Sequence, residues 1–409
     1  MEKLFLDNFR GFSNEFIEIR DVNFLVGENS SGKSSVLMAI NTILSPGFWF
    51  NLDFHAGEAQ MYSFEDLVSV EQKDKSNFKI GLFHNSDKDT SFLFEFTNDN
   101  GKPVISSGII EKDRKLFIFY CEEEYVRYKV IINERLSLDH HKQLTKKEVS
   151  QLEGMQLKMN IIPPITLLQI CEHIISNKKN NSQVELPIWN ITSIAPIRSK
   201  PKKTYDEPGT LENPEGDHIP YVIRRIKKTK SNFFQKIDYF GEQSGLFKNI
   251  DIKEYDDADD APFRVNFVLK NEPLNIVNIG YGVSQVLPIL FNLYTQNSTF
   301  ITIQQPEVHL HPKAQAAIGN IFFDLSVGEK RKKFIIETHS DYIIDRFRQK
   351  QKKAQEKPNV HVLFFLREDG RNKTFSINID DNGNYDNNQP REFREFFINE
   401  ELENLGLQQ

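Results

Sequence analysis

The segment Val22-Asn23-Phe24-Leu25-Val26 is a near-continuous apolar run, and Gly27-Glu28-Asn29-Ser30-Ser31-Gly32-Lys33-Ser34 follows it directly. An apolar run of this length is the pattern of a strand buried on both faces. The eight residues after it fit glycine, four residues, glycine, lysine, then serine or threonine. Val36, Leu37, Ile40 and Leu44 recur at helical spacing until Pro46 and Gly47 stop the helix. Strand, glycine loop and helix in this order predict an α/β core.

The residue types in the loop have physical reasons. Gly27 and Gly32 permit backbone angles that turn several N–H groups towards one point. The following helix presents its positive N-terminus to the same anion. Lys33 can reach the outer phosphates of a nucleotide, and Ser34 offers a hydroxyl to Mg²⁺. Gly27, Glu28, Asn29, Ser30, Ser31, Gly32, Lys33, Ser34 and Ser35 are therefore the expected phosphate-binding residues.

The chain has 409 residues, enough for two or three domains and a large core without disulfides. Its net charge of -7 argues against a surface that is basic all over, although local basic runs remain. Cys121 and Cys171 lack metal-site spacing and read as buried free thiols of a reducing compartment. The N-terminus carries no signal-peptide pattern, and the most apolar stretch, Ile161 to Ile175, is too short and polar to span a bilayer. These features predict a cytoplasmic protein with no membrane partner.

From Phe48 to Ile131 runs such as Phe92-Leu93-Phe94-Glu95-Phe96 and Lys115-Leu116-Phe117-Ile118-Phe119 read as strands. Lys142 to Met159 has helical spacing at Leu144, Val149, Leu152 and Met155, and Asn177 to Gln183 reads as a polar linker. A second half of the core begins near Ile188. It holds short strands at Phe300–Ile303, Phe334–Ile336 and Val360–Leu366, and a helix at Val283–Tyr294. The expected organisation is 1–47, the first half of the core; 48–187, a β-rich arm with a partly helical insertion; and 188–409, the second half of the core.

Three later segments carry polar residues at element ends. Glycines at 280 and 282 precede Ser284 at an expected helix start, a place that can hold a phosphate. The strand Phe300–Ile303 runs into Gln304-Gln305-Pro306-Glu307-Val308-His309-Leu310-His311-Pro312, where a nucleotide-bound metal and an attacking water would be addressed. His309 and His311, two apart with no cysteine nearby, do not make a zinc site. His339 sits just past the strand Phe334–Ile336, within Glu337-Thr338-His339-Ser340.

Together these segments resemble the ABC/SMC-like AAA ATPases related to the overcoming-lysogenization-defect family and to ATPase subunits of bacterial anti-phage systems. The likeness takes in Leu6-Asp7-Asn8-Phe9-Arg10-Gly11-Phe12, the glycine loop, Ala195-Pro196-Ile197-Arg198 and Pro214-Glu215-Gly216-Asp217-His218-Ile219-Pro220. It extends through the Ser284 segment, Pro306 to Pro312 and Thr338-His339-Ser340. The resemblance implies an ABC-type P-loop ATPase core with ATP and Mg²⁺ as cofactors. It implies a homo-oligomer in which two chains pair head to tail, Gly282 and Ser284 of one completing the site of the other. Gln304 takes the place of the acid that, with Ser34, holds the metal; Gln305 takes that of the catalytic acid; Glu307 lies beyond them; His339 matches a switch histidine.

Glutamine cannot accept a proton or give full charge to Mg²⁺, so Gln304-Gln305 predicts slow turnover. The acidic pair Asp380-Asp381 beside Gly383 reads as a turn rather than a nuclease centre. The resemblance then implies a separate effector protein, a nuclease or toxin, controlled by this chain. The alternative is a DNA-repair or DNA-maintenance ATPase. For that role the runs Arg198-Ser199-Lys200-Pro201-Lys202-Lys203 and Arg224 to Lys230 would track the phosphates of DNA.

Overall fold

The computed structural model describes residues 2–54, 62–70, 75–87, 89–122, 125–140, 146–157, 161–176, 186, 190–206, 212–229, 231–256, 258, 261–269, 272–387, 389–393 and 395. The expected linker 177–183 lies outside them. Two compact units share the chain. One comprises Met1–Arg20, Glu28–Trp189 and Phe365–Ser376; the other comprises Asp21–Gly27, Asn190–Phe364 and Ile377–Gln409.

In chain order the first elements are β1 (Glu2–Asp7), β2 (Glu15–Ile19), β3 (Val22–Gly27), α1 (Lys33–Ile43), α2 (Pro46–Asn51) and α3 (Phe64–Leu67). Next come β4 (Asn77–His84), β5 (Ser91–Asp99), β6 (Lys102–Lys112), β7 (Lys115–Cys121), β8 (Tyr125–Ile132), α4 (Lys146–Val149), β9 (Glu153–Gln156) and α5 (Pro164–Ser176). The remainder is β10 (Ile191–Ile194), α6 (Ile219–Thr229), α7 (Ser231–Ser244), β11 (Asn249–Glu254), β12 (Phe263–Val268), β13 (Pro273–Asn275), α8 (Tyr281–Thr295), β14 (Phe300–Gln304), α9 (Pro312–Ser326), β15 (Lys333–Glu337), α10 (Asp341–Lys353), β16 (Val360–Glu368) and β17 (Arg371–Asn378).

The first unit is built on an eight-stranded sheet in the order β2-β1-β4-β5-β6-β7-β8-β9, so the β-rich region takes in β1 and β2 as well. Its pairings are antiparallel. The phenylalanine content finds its use here. Phe92, Phe94 and Phe96 alternate along β5; Phe92 and Phe94 meet Trp49 of α2 edge-on and Phe96 packs tilted on Phe48, with Phe54 and Phe78 beside them. Leu93 points to the opposite face and packs with Phe5, Ile109, Leu116, Ile118 and Leu136. Burial on both faces is why β5 lacks the polar alternation of a surface strand.

The expected helix over 142–159 is corrected. Its described part holds only the single turn α4 and then the strand β9, which pairs Glu153–Gln156 against Tyr125–Tyr128. The open edge of β8 offers a row of backbone partners, and that outweighs a weak helical spacing.

The second unit contains β10, β14, β15, β3 and the first half of β16, members of a sheet ordered β10-β14-β15-β3-β16-β17. β10, β14, β15 and β3 run parallel. Every residue of β3 is buried, as the apolar run required. Its polar member, Asn23, is held at the centre of the sheet: Nδ2 donates to the Phe334 carbonyl at 2.8 Å, and Oδ1 lies 2.7 Å from His361 Nε2. The strands expected at 300–303, 334–336 and 360–366 are β14, β15 and β16, and α8 covers the expected helix at 283–294. A three-stranded sheet, β11-β12-β13, completes this unit.

Candidate nucleotide site

β3 ends at Gly27 with φ 145°, Ser30 lies at φ 62°, Gly32 at φ 103°, and α1 starts at Lys33. The alternation of left-handed and ordinary residues is the backbone form that gathers N–H groups into an anion-binding concavity. Gly32 is required twice over: a Cβ there would lie 2.6 Å from both Asn372 Nδ2 and Phe12 Cζ, besides the positive φ. Inside the loop Ser31 Oγ donates to the Glu28 carbonyl at 2.7 Å, and Lys33 Nζ donates to the same oxygen at 2.6 Å. Arg367 Nη1 reaches the Ser30 carbonyl at 3.3 Å. Asn29 is exposed, Ser31 and Lys33 are buried, and Ser34 and Ser35 form the first turn of α1.

In the second unit the ends of three strands stand in register. Gln304 of β14 pairs with Glu337 of β15, and Glu337 pairs with Leu25 of β3. Gln305 leaves the strand at φ 45°, its N–H donating to the Glu337 carbonyl at 2.8 Å. Glu307 is tied to the strand beyond. Its carboxylate accepts from Thr338 Oγ1 and from the His339 N–H, each at 2.7 Å. The segment carrying His339 is thus fixed by Glu307. His309 turns left-handed at φ 62°, and its ring lies 5.7 Å from that of Tyr281.

Arg198 is a residue that sequence reasoning placed only in a motif and a basic run. It is 3% exposed, and its Nη2 donates to the carbonyls of Gln304 at 2.9 Å and Gln305 at 3.3 Å. Burial lowers its pKa to about 10, while the nearby Glu307 carboxylate works in the opposite direction. A buried guanidinium thus braces the end of β14 through its backbone carbonyls. Glu337, also passed over, is 5% exposed at the end of an otherwise apolar strand. The signal for it was a lone acid closing the run Phe334-Ile335-Ile336.

The Ser284 segment opens α8. Gly280 and Tyr281 are exposed at the start of α8, but Gly282 and Ser284 face inward. A Cβ at Gly282 would lie 2.8 Å from the His309 carbonyl, so this glycine serves the close packing of α8 on the histidine turn. Ser284 Oγ donates to the Tyr281 carbonyl at 2.8 Å. The same serine lines a cavity of about 180 Å³ with Lys200, Lys202, Tyr205, Asp217 and Tyr221.

The basic runs are partly used up within the second unit. Arg224 Nε pairs with Glu254 at 2.6 Å, Lys228 reaches the same carboxylate at 3.2 Å, and Lys227 donates to the Ile250 carbonyl at 2.8 Å. Lys230 lies outside the described residues. Asp380 holds a turn, its Oδ1 accepting from the N–H groups of Asn382 and Asn384. Cys171 is buried, and Cys121 is partly exposed rather than buried. Among the described residues no group of three or more His, Cys, Asp and Glu is placed to hold a metal, and no helix is long and apolar enough to cross a membrane.

The sequence profile of the AAA ATPase domain matches residues 1–344. The chain belongs to this family. It is an ATPase, and the α/β sheet with its strand–loop–helix unit is the P-loop core of that enzyme class. No curated protein matches the chain. Among solved structures it is similar to an SMC head bound to the C-winged helix domain of ScpA, with 14% identity, 92% of this chain and 97% of that one covered, and a TM-score of 0.44. It is similar to the SMC head domain from Thermotoga maritima, with 13% identity, 92% and 98% covered, and a TM-score of 0.38. A third is the Smc head domain with an extended coiled coil from Pyrococcus furiosus, with 11% identity, 98% and 100% covered, and a TM-score of 0.40. Neither the fold nor the activity of this ATPase rests on those three likenesses.

Proposed function

We propose that this ATPase is an ATP-held switch. Gly27 to Ser35 hold ATP, and Ser34 and Gln304 address Mg²⁺, both through an oxygen atom of the kind a hard cation takes. Bound there, the metal would offset the charge of the phosphates. Two copies pair head to tail, and the start of α8 of one completes the site of the other. The exposed Tyr281 at that start, and the exposed Val277 in the turn before it, support such a contact. The assembly, in the cytoplasm, restrains or releases a separate effector, a nuclease or toxin acting against phage. That last step is supported by the likeness of the motifs to ATPase subunits of anti-phage systems.

The observation that carries the switch reading is Gln304-Gln305 at the end of β14. An ATP-hydrolysing site gains speed from an acid that polarises water. Here that position holds an amide, and Glu307, the acid next in line, is engaged with Thr338 and His339. The wild type is expected to bind ATP tightly and turn it over slowly, and Gln305→Glu to raise turnover by on the order of 10². Lys33→Ala is expected to abolish ATP binding with the fold intact by circular dichroism. A wild type that hydrolyses ATP many times per second, or a Lys33→Ala variant of undiminished affinity, refutes the proposal. The effector step is tested by co-purification with products of neighbouring genes, with and without ATP. Neighbours that are DNA-repair proteins would favour the maintenance role instead.

A further inference from the structure

The cavity of about 180 Å³ that Ser284 lines opens between the segment after β10 and the starts of α6 and α8, all within the second unit. Its floor is apolar: Ile219, Ile276, Leu287 and Pro288 line it and are buried, and the buried Tyr205 stands with them. Its mouth is charged, for Lys200, Lys202 and Asp217 line it and are exposed.

The walls are tied to one another by the protein itself. Tyr205 exchanges two backbone hydrogen bonds with Phe263, at 2.9 and 3.0 Å, and stacks on its ring at 5.4 Å. The Ser199 N–H donates to the Glu215 carbonyl at 3.0 Å, and Asn213 Oδ1 accepts from the N–H groups of Gly216 at 2.8 Å and Asp217 at 3.1 Å. Gly216, at φ 86°, lies against the cavity floor, where a Cβ would come within 2.6 Å of Pro288. The Tyr205 hydroxyl accepts from the Lys202 N–H at 3.1 Å, which leaves its own proton for another acceptor. Walls fixed in this way do not have to be ordered by a ligand, which saves a main cost of binding.

Each part of the cavity selects for something. A preformed apolar floor takes an apolar body. A cavity of about 150 Å³ accommodates benzene, so this one accommodates a single ring with a small head group. Two lysines against one aspartate make the mouth positive, and Asp217 disfavours a second negative charge on the ligand. We infer that the cavity is a binding site for a ring-sized organic monocarboxylate, with the ring on the floor and the carboxylate at Lys200 and Lys202. The site stands on the second unit alone and needs neither the glycine loop nor ATP.

The test is titration of the full chain by saturation-transfer NMR and calorimetry, with benzoate as the probe. Benzoate is expected to bind with a Kd of about 1 mM or tighter. Benzyl alcohol, with the ring and no charge, is expected to bind at least about fivefold more weakly. Phenyl phosphate, with a second charge, is also expected to bind more weakly. Lys200→Ala/Lys202→Ala is expected to bring benzoate down to the level of benzyl alcohol and to leave benzyl alcohol unchanged, and Ile276→Phe, which fills the floor, to lose both. ATP and AMP are expected not to displace benzoate. No binding of benzoate at about 10 mM overturns the inference. So does phenyl phosphate binding more tightly than benzoate, displacement of benzoate by either nucleotide, or a double lysine variant of undiminished affinity. Should Ile276→Phe fail to fold, the lysine variant, altered only at exposed positions, decides the outcome.

Discussion

Replacing Glu307 by glutamine separates two roles for the acid nearest the glutamine pair. In the structure its carboxylate accepts from Thr338 Oγ1 and from the His339 N–H at 2.7 Å, and Arg198 is close enough to feel its charge. An amide can accept only one of those two hydrogen bonds; if it keeps the His339 N–H, its N–H₂ donates to Thr338 Oγ1 and the threonine hydroxyl loses its own acceptor. An unsatisfied, largely buried donor costs about 1–3 kcal/mol. The Arg198 guanidinium, 3% exposed, also loses its compensating charge. Breaking a fully buried pair costs about 3–5 kcal/mol, and Glu307 is only partly buried, so the lower end or less applies. A loss of roughly 3 kcal/mol in total follows. At about 2–4 °C per kcal/mol for a domain of about 150–250 residues, the melting temperature falls by about 6–12 °C. Thermal unfolding by circular dichroism measures the shift, and turnover is measured alongside at a temperature where the variant is folded. A variant that melts within about 2 °C of the wild type but has lost all turnover would refute the reasoning. Glu307 would then be the working base and not the strut of the His339 segment.

Gly32→Ala places a Cβ against Asn372 and Phe12 at a φ of 103°, and it is expected to lower ATP affinity at least tenfold by calorimetry. Gly282→Ala drives a methyl into the His309 carbonyl, and it is expected to lower stability by about 1–3 kcal/mol in urea unfolding whether or not nucleotide is present. His218 Nδ1 accepts from the Asn213 N–H, and burial lowers the pKa of the ring, so the folded state prefers it neutral. The unfolded chain takes up the proton first as pH falls through its ordinary value of about 6.5, so stability is full above that pH and declines below it until the folded-state pKa is passed. Urea unfolding at a pH on either side of that value is expected to show a smaller difference in His218→Asn than in the wild type; an equal difference would remove His218 from the account.

The glycine loop and the strand and helix beside it were legible because their pattern lies in consecutive residues. A buried strand, two glycines at fixed spacing and a helix start are local conditions, and Val22 to Leu44 meet them without reference to the rest of the chain. The same holds for β14, β15 and β16, whose apolar runs announce strands buried on both faces. The helical reading of 142–159 failed because the choice there was not local: Glu153–Gln156 became a strand through register with Tyr125–Tyr128. What the side chains around Gln304 do was likewise settled by strand order. Arg198 meets the Gln304 carbonyl across 106 positions of sequence, and Glu307 meets Thr338 across 31. Glu337 is merely an acid after three apolar residues until β15 is placed between β14 and β3. The row Gln304–Glu337–Leu25 exists only in that sheet, because a register between strands is fixed by backbone hydrogen bonds and the burial of whole faces, which no single segment encodes.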